Sequence, residues 1–219
     1  MIVTIDGPAG AGKSSAARGL AKKLGFRFLD TGAMYRAVTL AAQRRHIDWN
    51  DAEALARIAA ESKIELTDDR VFLDGEDVTD EIRSFEITTL TRHAADHPAV
   101  RRQMVQLQRQ MAHAHDVVTE GRDQATVVFP DAACKIYLTA DERVRAQRRH
   151  RDLLARGEQV TLEEVLEKQR QRDRRDVERK FGGLEKTDDS LLVHTDGLSP
   201  EEVLERLEEL VVSKVKRNN

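Results

Sequence analysis

The residues Gly7-Pro8-Ala9-Gly10-Ala11-Gly12-Lys13-Ser14 satisfy G-x-x-x-x-G-K-[ST] at every fixed position. Before them lies Ile2 to Ile5, an apolar run of strand length; after them, Lys13 to Leu24 places Leu20, Ala21 and Leu24 on one helical face. Strand, glycine loop and helix in this order form a cradle for phosphate. The loop offers consecutive backbone N–H groups and the positive end of a helix dipole, and its glycines allow an approach that a Cβ would block. Gly7 to Gly12, with Lys13, Ser14 and Ser15, are the expected nucleotide-binding residues, Lys13 reaching the β- and γ-phosphates and the Ser14 hydroxyl holding Mg²⁺.

Beyond this motif, helix and strand signals alternate. Strands are expected at Phe26 to Leu29, Val117 to Thr119, Cys134 to Leu138 and Leu191 to His194; with Ile2 to Ile5 they make five. Helices are expected at Thr31 to about Arg45, Asp51 to about Ser62, Ser84 to a stop near Pro98, again from there through Met111, and from Pro200 with Ser199 as its cap. Such alternation predicts an α/β fold of the P-loop NTPase kind: a five-stranded parallel sheet with helices on both faces and ligands beyond the carboxyl ends of the strands. From Ile64 to about Val78 the pattern shortens into pieces broken at Asp68-Asp69 and Asp74-Gly75, read as a small antiparallel β insert. Between Asp141 and Lys180 a charged helical stretch with eleven arginines is interrupted near Gly157. Most of these arginines face solvent among neighbouring acids, and a subset is expected to form a lid that neutralises a transferring phosphoryl group. The expected organisation is one P-loop kinase domain over 1–219, with an insert at about 62–98 that binds the acceptor and an Arg-rich lid at about 145–175.

A formal charge of −3 over 219 residues lacks the basic excess of a nucleic-acid binder. No run approaches a membrane span, and Met1 to Asp6 does not read as a signal peptide. The single Cys134 fits a reducing compartment and reads as a small core residue. A cytoplasmic enzyme is therefore expected, with no nucleic acid, membrane or obligate protein partner.

A switch GTPase needs [NT]-K-x-D after a strand; the nearest match, Glu185-Lys186-Thr187-Asp188, has the wrong first residue and precedes one. A small-molecule kinase, or a nucleotide-binding regulator without turnover, remains. In Leu29-Asp30-Thr31-Gly32-Ala33-Met34-Tyr35-Arg36, Thr31 falls near a helix N-terminus and Arg36 just over a turn later, a pairing that can bind a second phosphate. After the third core strand, Glu120-Gly121-Arg122-Asp123 offers a guanidinium for phosphate and a carboxylate for an exocyclic amine.

Across nearly its whole length the chain resembles the bacterial cytidylate kinases. The resemblance rests on IDGPAGAGKSS, LDTGAMYRA, DGEDVTDEIRSFEI, HPAVR, EGRD followed by TVVFPDA, and the pattern of Arg172, Asp176 and Arg179, in the family's order. It implies transfer of the γ-phosphoryl group of MgATP to CMP, and to dCMP. It further implies that Thr31, Arg36 and Arg122 hold the acceptor phosphate, with Lys13, Arg36 and Arg122 the catalytic cations. Arg101 and Asp123 then face the base, Arg172 and Asp176 the sugar and nearby phosphate, and Arg179 the base side. The chain departs from the family at Arg92, where a small hydroxyl residue is usual, at Gln124-Ala125 after the GRD motif, and at Phe181-Gly182-Gly183-Leu184.

Overall fold

The computed structural model describes residues 1–67, 69–155 and 157–218; the side chains of 215–218, and Asp68 and Arg156 of the sequence reading, lie outside the described residues. In chain order the elements are β1 (Ile2–Asp6), α1 (Lys13–Leu24), β2 (Arg27–Asp30), α2 (Thr31–Arg44), α3 (Ala52–Glu61), β3 (Ile64–Leu66), β4 (Val71–Leu73) and β5 (Glu76–Asp77). A 3-10 turn at Glu81–Arg83 leads to α4 (Phe85–Ala95), α5 (Pro98–Ala112) and β6 (Val117–Gly121). A π-helical turn at Gln124–Val128 precedes β7 (Cys134–Thr139), α6 (Glu142–Ala155), α7 (Leu162–Glu178), β8 (Leu191–His194) and α8 (Pro200–Asn218). The chain forms two compact units, Met1–Phe26 with Asp116–Asn219, and Arg27–His115.

The expected parallel sheet has five strands in the order β2-β6-β1-β7-β8. Strand β1 is central, with Ile5 level with Glu120 on β6 and with Ile136 on β7. Its Val3, Thr4 and Ile5 are wholly buried, as a strand flanked on both edges and covered on both faces requires. In this unit α1 packs on β6 and on α8, and α6 packs on α7. Helix α1 stops where Gly25 turns left-handed (φ 68°), and Phe26 N–H returns to the carbonyl of Ala21. The charged helical stretch divides as the sequence implied. Helix α6 ends at Ala155, Gly157 is left-handed (φ 81°), and α7 restarts under a capping box in which Thr161 and Glu164 bond each other's backbone.

In the second unit α2 packs on α4 and α3 on α5. The insert is a three-stranded antiparallel sheet, β3-β4-β5, with Ile64 opposite Leu73; Val71 and Leu73 of β4 and the nearby Ile82 are buried. Asp51 caps α3 and Ser84 caps α4, each accepting an N–H three residues on. Cys134 is buried and its thiol is pushed up to about 11 by burial, as expected of a core residue. Among the described residues no helix is long and apolar enough to cross a membrane.

Candidate active site

The phosphate cradle forms where β1 gives way to α1. Gly7 adopts φ 149° at a point where an added Cβ would run into the carbonyl of Leu138 on β7, and Gly10 (φ 77°) and Gly12 (φ 89°) are left-handed. Each conformation excludes a side chain, and together they curl the loop over the start of α1. Lys13, 5% exposed, turns back to donate from Nζ to the carbonyl of Pro8 at 2.8 Å. Burial, reinforced by the guanidinium charges of Arg122 and Arg172, pulls its ammonium down to about 7 against the attraction of Glu120 and Asp6. A polyphosphate entering this cradle would meet a lysine with little competing solvation. Ser14 Oγ donates to Glu120 Oε1 at 2.8 Å.

The parallel register explains that last contact, for Ile5 is level with Glu120 and Asp6 with Gly121. The Glu120-Gly121-Arg122-Asp123 segment therefore emerges beside the loop. Arg122 Nε donates to Asp176 Oδ2 at 2.7 Å, and Arg179 Nη2 to Asp176 Oδ1 at the same distance. Asp176 is thus clamped between two guanidinium groups. Burial works the other way, yet Arg122, Arg179 and Arg172 hold its carboxyl below the usual range. Arg122 is thereby brought to a pair of residues more than fifty positions further along the chain. Arg172, one turn earlier on α7, is exposed and acts on Lys13 and Asp176 through its charge. Arg122 also donates from Nη1 to the carbonyl of Gly121 at 3.0 Å, and its charged form is held by Asp176 and Glu120 despite burial. Asp123 is 3% exposed, and its backbone carbonyl accepts the N–H groups of Val127 and Val128.

Asp6 was not legible as a site residue. It is 2% exposed and accepts from the backbone N–H of Gln124 at 3.0 Å and of Ala125 at 2.7 Å. Burial pushes its carboxyl up to about 7 in spite of those two bonds, and Asp123 adds to the push. Asp6 thereby ties the end of β1 to the turn that follows the GRD motif. Gln124, one of the departures from the family pattern, uses its side chain as well, accepting from Thr119 Oγ1 at 2.9 Å. Glu120 and Asp6 share one signal that could have found them: both are acidic residues at the carboxyl end of a buried parallel strand.

In the second unit, the N-cap of α2 is Asp30, whose carboxylate accepts from Ala33 N–H at 2.8 Å; Thr31 is the first helical residue and 4% exposed. Arg36 lies one turn on, with Nη2 3.8 Å from Asp30 Oδ1. Arg101 from α5 is buried, its guanidinium 5.4 Å over the ring of Tyr35 and Nη1 donating to the carbonyl of Ala95 at 3.0 Å. Arg92 is exposed on α4, Nε 3.3 Å from His93 Nε2.

Ser14 Oγ and Glu120 are hard oxygen donors at hydrogen-bond distance from one another. That donor set suits Mg²⁺, which commonly takes one or two protein oxygens and completes its shell with phosphates and water.

Two solved structures share the fold at low identity: a gluconokinase from Sinorhizobium meliloti (TM-score 0.51, 15% identity, 98% of this chain and 93% of that one) and the protein TT1252 from Thermus thermophilus (TM-score 0.50, 21%, 98% and 97%). A cytidylate kinase from Rhodopirellula baltica is 50% identical over 96% of this chain and 92% of its own, and one from Caldanaerobacter subterraneus 46% over 98% and 96%. The sequence profile named Cytidylate kinase matches residues 3–213. With the profile spanning nearly the whole chain and these relatives about half identical to it, the chain belongs to the cytidylate kinase family.

Proposed function

We propose that the chain transfers the γ-phosphoryl group of ATP to CMP, and to dCMP, releasing ADP and the pyrimidine nucleoside diphosphate. The observation that carries this reading is membership of the cytidylate kinase family over residues 3–213, and the site geometry supports it. A phosphate oxygen of CMP attacks the γ-phosphorus, the bond from that phosphorus to the β–γ bridging oxygen breaks, and ADP leaves. The attacking oxygen is already anionic at neutral pH, so no general base is required, and catalysis lies in positioning and electrostatics. Gly7 to Ser15 hold the donor phosphates, with Lys13 on the β- and γ-oxygens. Ser14 holds Mg²⁺ with Glu120 beside it; when bound, the ion neutralises charge on the donor phosphates.

On the acceptor side, Thr31, Arg36 and Arg122 hold the phosphate of CMP, and Arg172 and Asp176 its sugar and nearby phosphate. The clamp of Arg122 and Arg179 on Asp176 supports this, because it gives guanidinium groups one fixed geometry before substrate arrives. Arg101, Asp123 and Arg179 face the base. Cytosine presents an amine where uracil presents a carbonyl, and a carboxylate accepts from the first and repels the second. A coupled ADP-release assay against CMP, dCMP, UMP, AMP and GMP tests the reading. Turnover confined to the cytosine nucleotides is expected, and equal turnover of CMP and AMP would sink it.

A further inference from the structure

Ala9, in the middle of the glycine loop, has both its peptide groups held by side chains of α6 and α7. Its N–H donates to Asp173 Oδ1 at 3.1 Å. Its carbonyl accepts from Arg145 Nη1 at 2.7 Å, and the same nitrogen donates to Asp173 Oδ2 at 2.6 Å, closing a ring of three hydrogen bonds. Arg145 is anchored further by Nε on the carbonyl of Ala140 at 3.0 Å and is 7% exposed. A Cβ built on Gly10 would lie 3.2 Å from both Arg145 Cβ and Gln169 Oε1, so the same helices wall off the outer side of the turn.

A trans peptide unit is planar, with its N–H and C=O on opposite edges. Fixing one group therefore aims the other. In the Pro8–Ala9 peptide, Asp173 takes the N–H, and the carbonyl on the opposite edge is the one that accepts from Lys13 Nζ at 2.8 Å. In the Ala9–Gly10 peptide, Arg145 takes the carbonyl, which leaves the Gly10 N–H on the edge away from α6. Two side chains outside the motif thus set two of its orienting groups.

We propose that Arg145 and Asp173 are positioning residues for phosphoryl transfer, holding the peptide planes on either side of Ala9 so that the Gly10 N–H and the Lys13 ammonium are aimed at the donor phosphates. The proposal rests on the reading of this loop as the ATP site. Without either partner the ring opens and both planes can rotate, so donor affinity falls while acceptor affinity does not. The carboxylate and the guanidinium act as one device because each hydrogen-bonds the other as well as the loop.

The test measures KM for MgATP and for CMP separately, and kcat, in Asp173→Ala, Arg145→Ala, the double variant, and the milder Asp173→Asn and Arg145→Lys. A rise of tenfold or more in KM for MgATP is expected in each alanine variant, with KM for CMP changed less than threefold. The double variant should be no worse than either single one. Asp173→Asn, which keeps an acceptor for the Ala9 N–H, should fall between wild type and Asp173→Ala. Thermal unfolding without nucleotide reports folding; should an alanine variant not fold, the Asn and Lys variants decide, by the same split between the two KM values. Equal changes in both KM values, additive losses in the double variant, or wild-type kinetics would each overturn the proposal. A wild-type protein that neither binds nor turns over MgATP would instead refute the ATP reading, and Lys13→Ala, which should abolish turnover with or without the ring, separates the two failures.

Discussion

Replacing Gly7 by Ala asks the fold to accept a methyl group where β1 ends against β7. The backbone there has φ 149°, a region that a residue with a Cβ rarely enters, and holding a non-glycine residue in such a region costs roughly 1–3 kcal/mol. The added Cβ would lie 3.0 Å from the carbonyl carbon of Leu138 and closer still to its oxygen. Leu138 cannot withdraw, because β7 is bonded on one side to β1 and on the other to β8, where Leu138 is level with Val193. Overpacking against an immobile neighbour costs a further 1–3 kcal/mol or so. The sum, about 2–6 kcal/mol, is a large part of an ordinary domain's stability of roughly 5–15 kcal/mol, and corresponds to a fall in Tm on the order of 5–20 °C. Urea and thermal unfolding of Gly7→Ala beside wild type, without nucleotide, measure it. A Gly7→Ala protein with the wild-type urea midpoint and slope would refute the reasoning, because neither the strain nor the overlap could then exist as described.

Lys13→Ala should leave thermal unfolding near wild type, since it removes a desolvated charge and no apolar packing, while kcat/KM falls by about 10²–10³-fold or more; activity retained within about tenfold would contradict the role given to Lys13. Asp6 should mark the pH profile. Its carboxyl is raised in the folded state from 3.8 to about 7, so the neutral form is favoured by folding; that contribution is complete below about pH 4 and is lost as pH rises through about 7, a change of about 4 kcal/mol. The stability of wild type relative to Asp6→Asn, from urea unfolding between pH 4 and pH 8, should decline across that window, and a flat difference would exclude the shift. Asp123→Ala should reduce kcat/KM for CMP far more than for UMP, bringing the two within reach of each other by about 1–3 kcal/mol; an undiminished preference for CMP would move base selection elsewhere, to Arg92 or Arg179 first.

The sequence marked best those elements whose ends carry local punctuation. Lys13–Leu24 was legible because Gly12 and Gly25 stand at its two ends, and α4 and α8 begin beside Ser84 and Ser199. Strand β8 was equally plain as three apolar residues, Leu191 to Val193, between polar neighbours. The site was legible only where it follows a motif. Nothing in the period of α6 distinguishes Arg145, which turns inward to Ala9, from Arg143 or Arg149 a few positions away, because the choice is made by a carboxylate 28 residues further on. Asp6 accepts from backbone groups 118 and 119 residues distant, so its role follows from strand register and not from any local pattern. The family resemblance put Arg122 and Asp176 in one site, but their pairing across 54 residues was not legible; composition showed a surplus of arginines without saying which would meet.

The place of β1 at the middle of the sheet sets the order in which the chain can fold. Its first 26 residues are made earliest, yet both strands that flank β1 begin only at Val117 and Cys134. During synthesis β1 has neither of its flanking strands to pair with until an entire unit, Arg27–His115, has been made between it and them. That middle unit is continuous in sequence and can close on its own contacts during this interval. The phosphate cradle belongs to the late-forming part, whose long-range parallel pairings form slowly. Domains generally fold in the order they are synthesised; here the motif written first in the sequence is among the last to take shape.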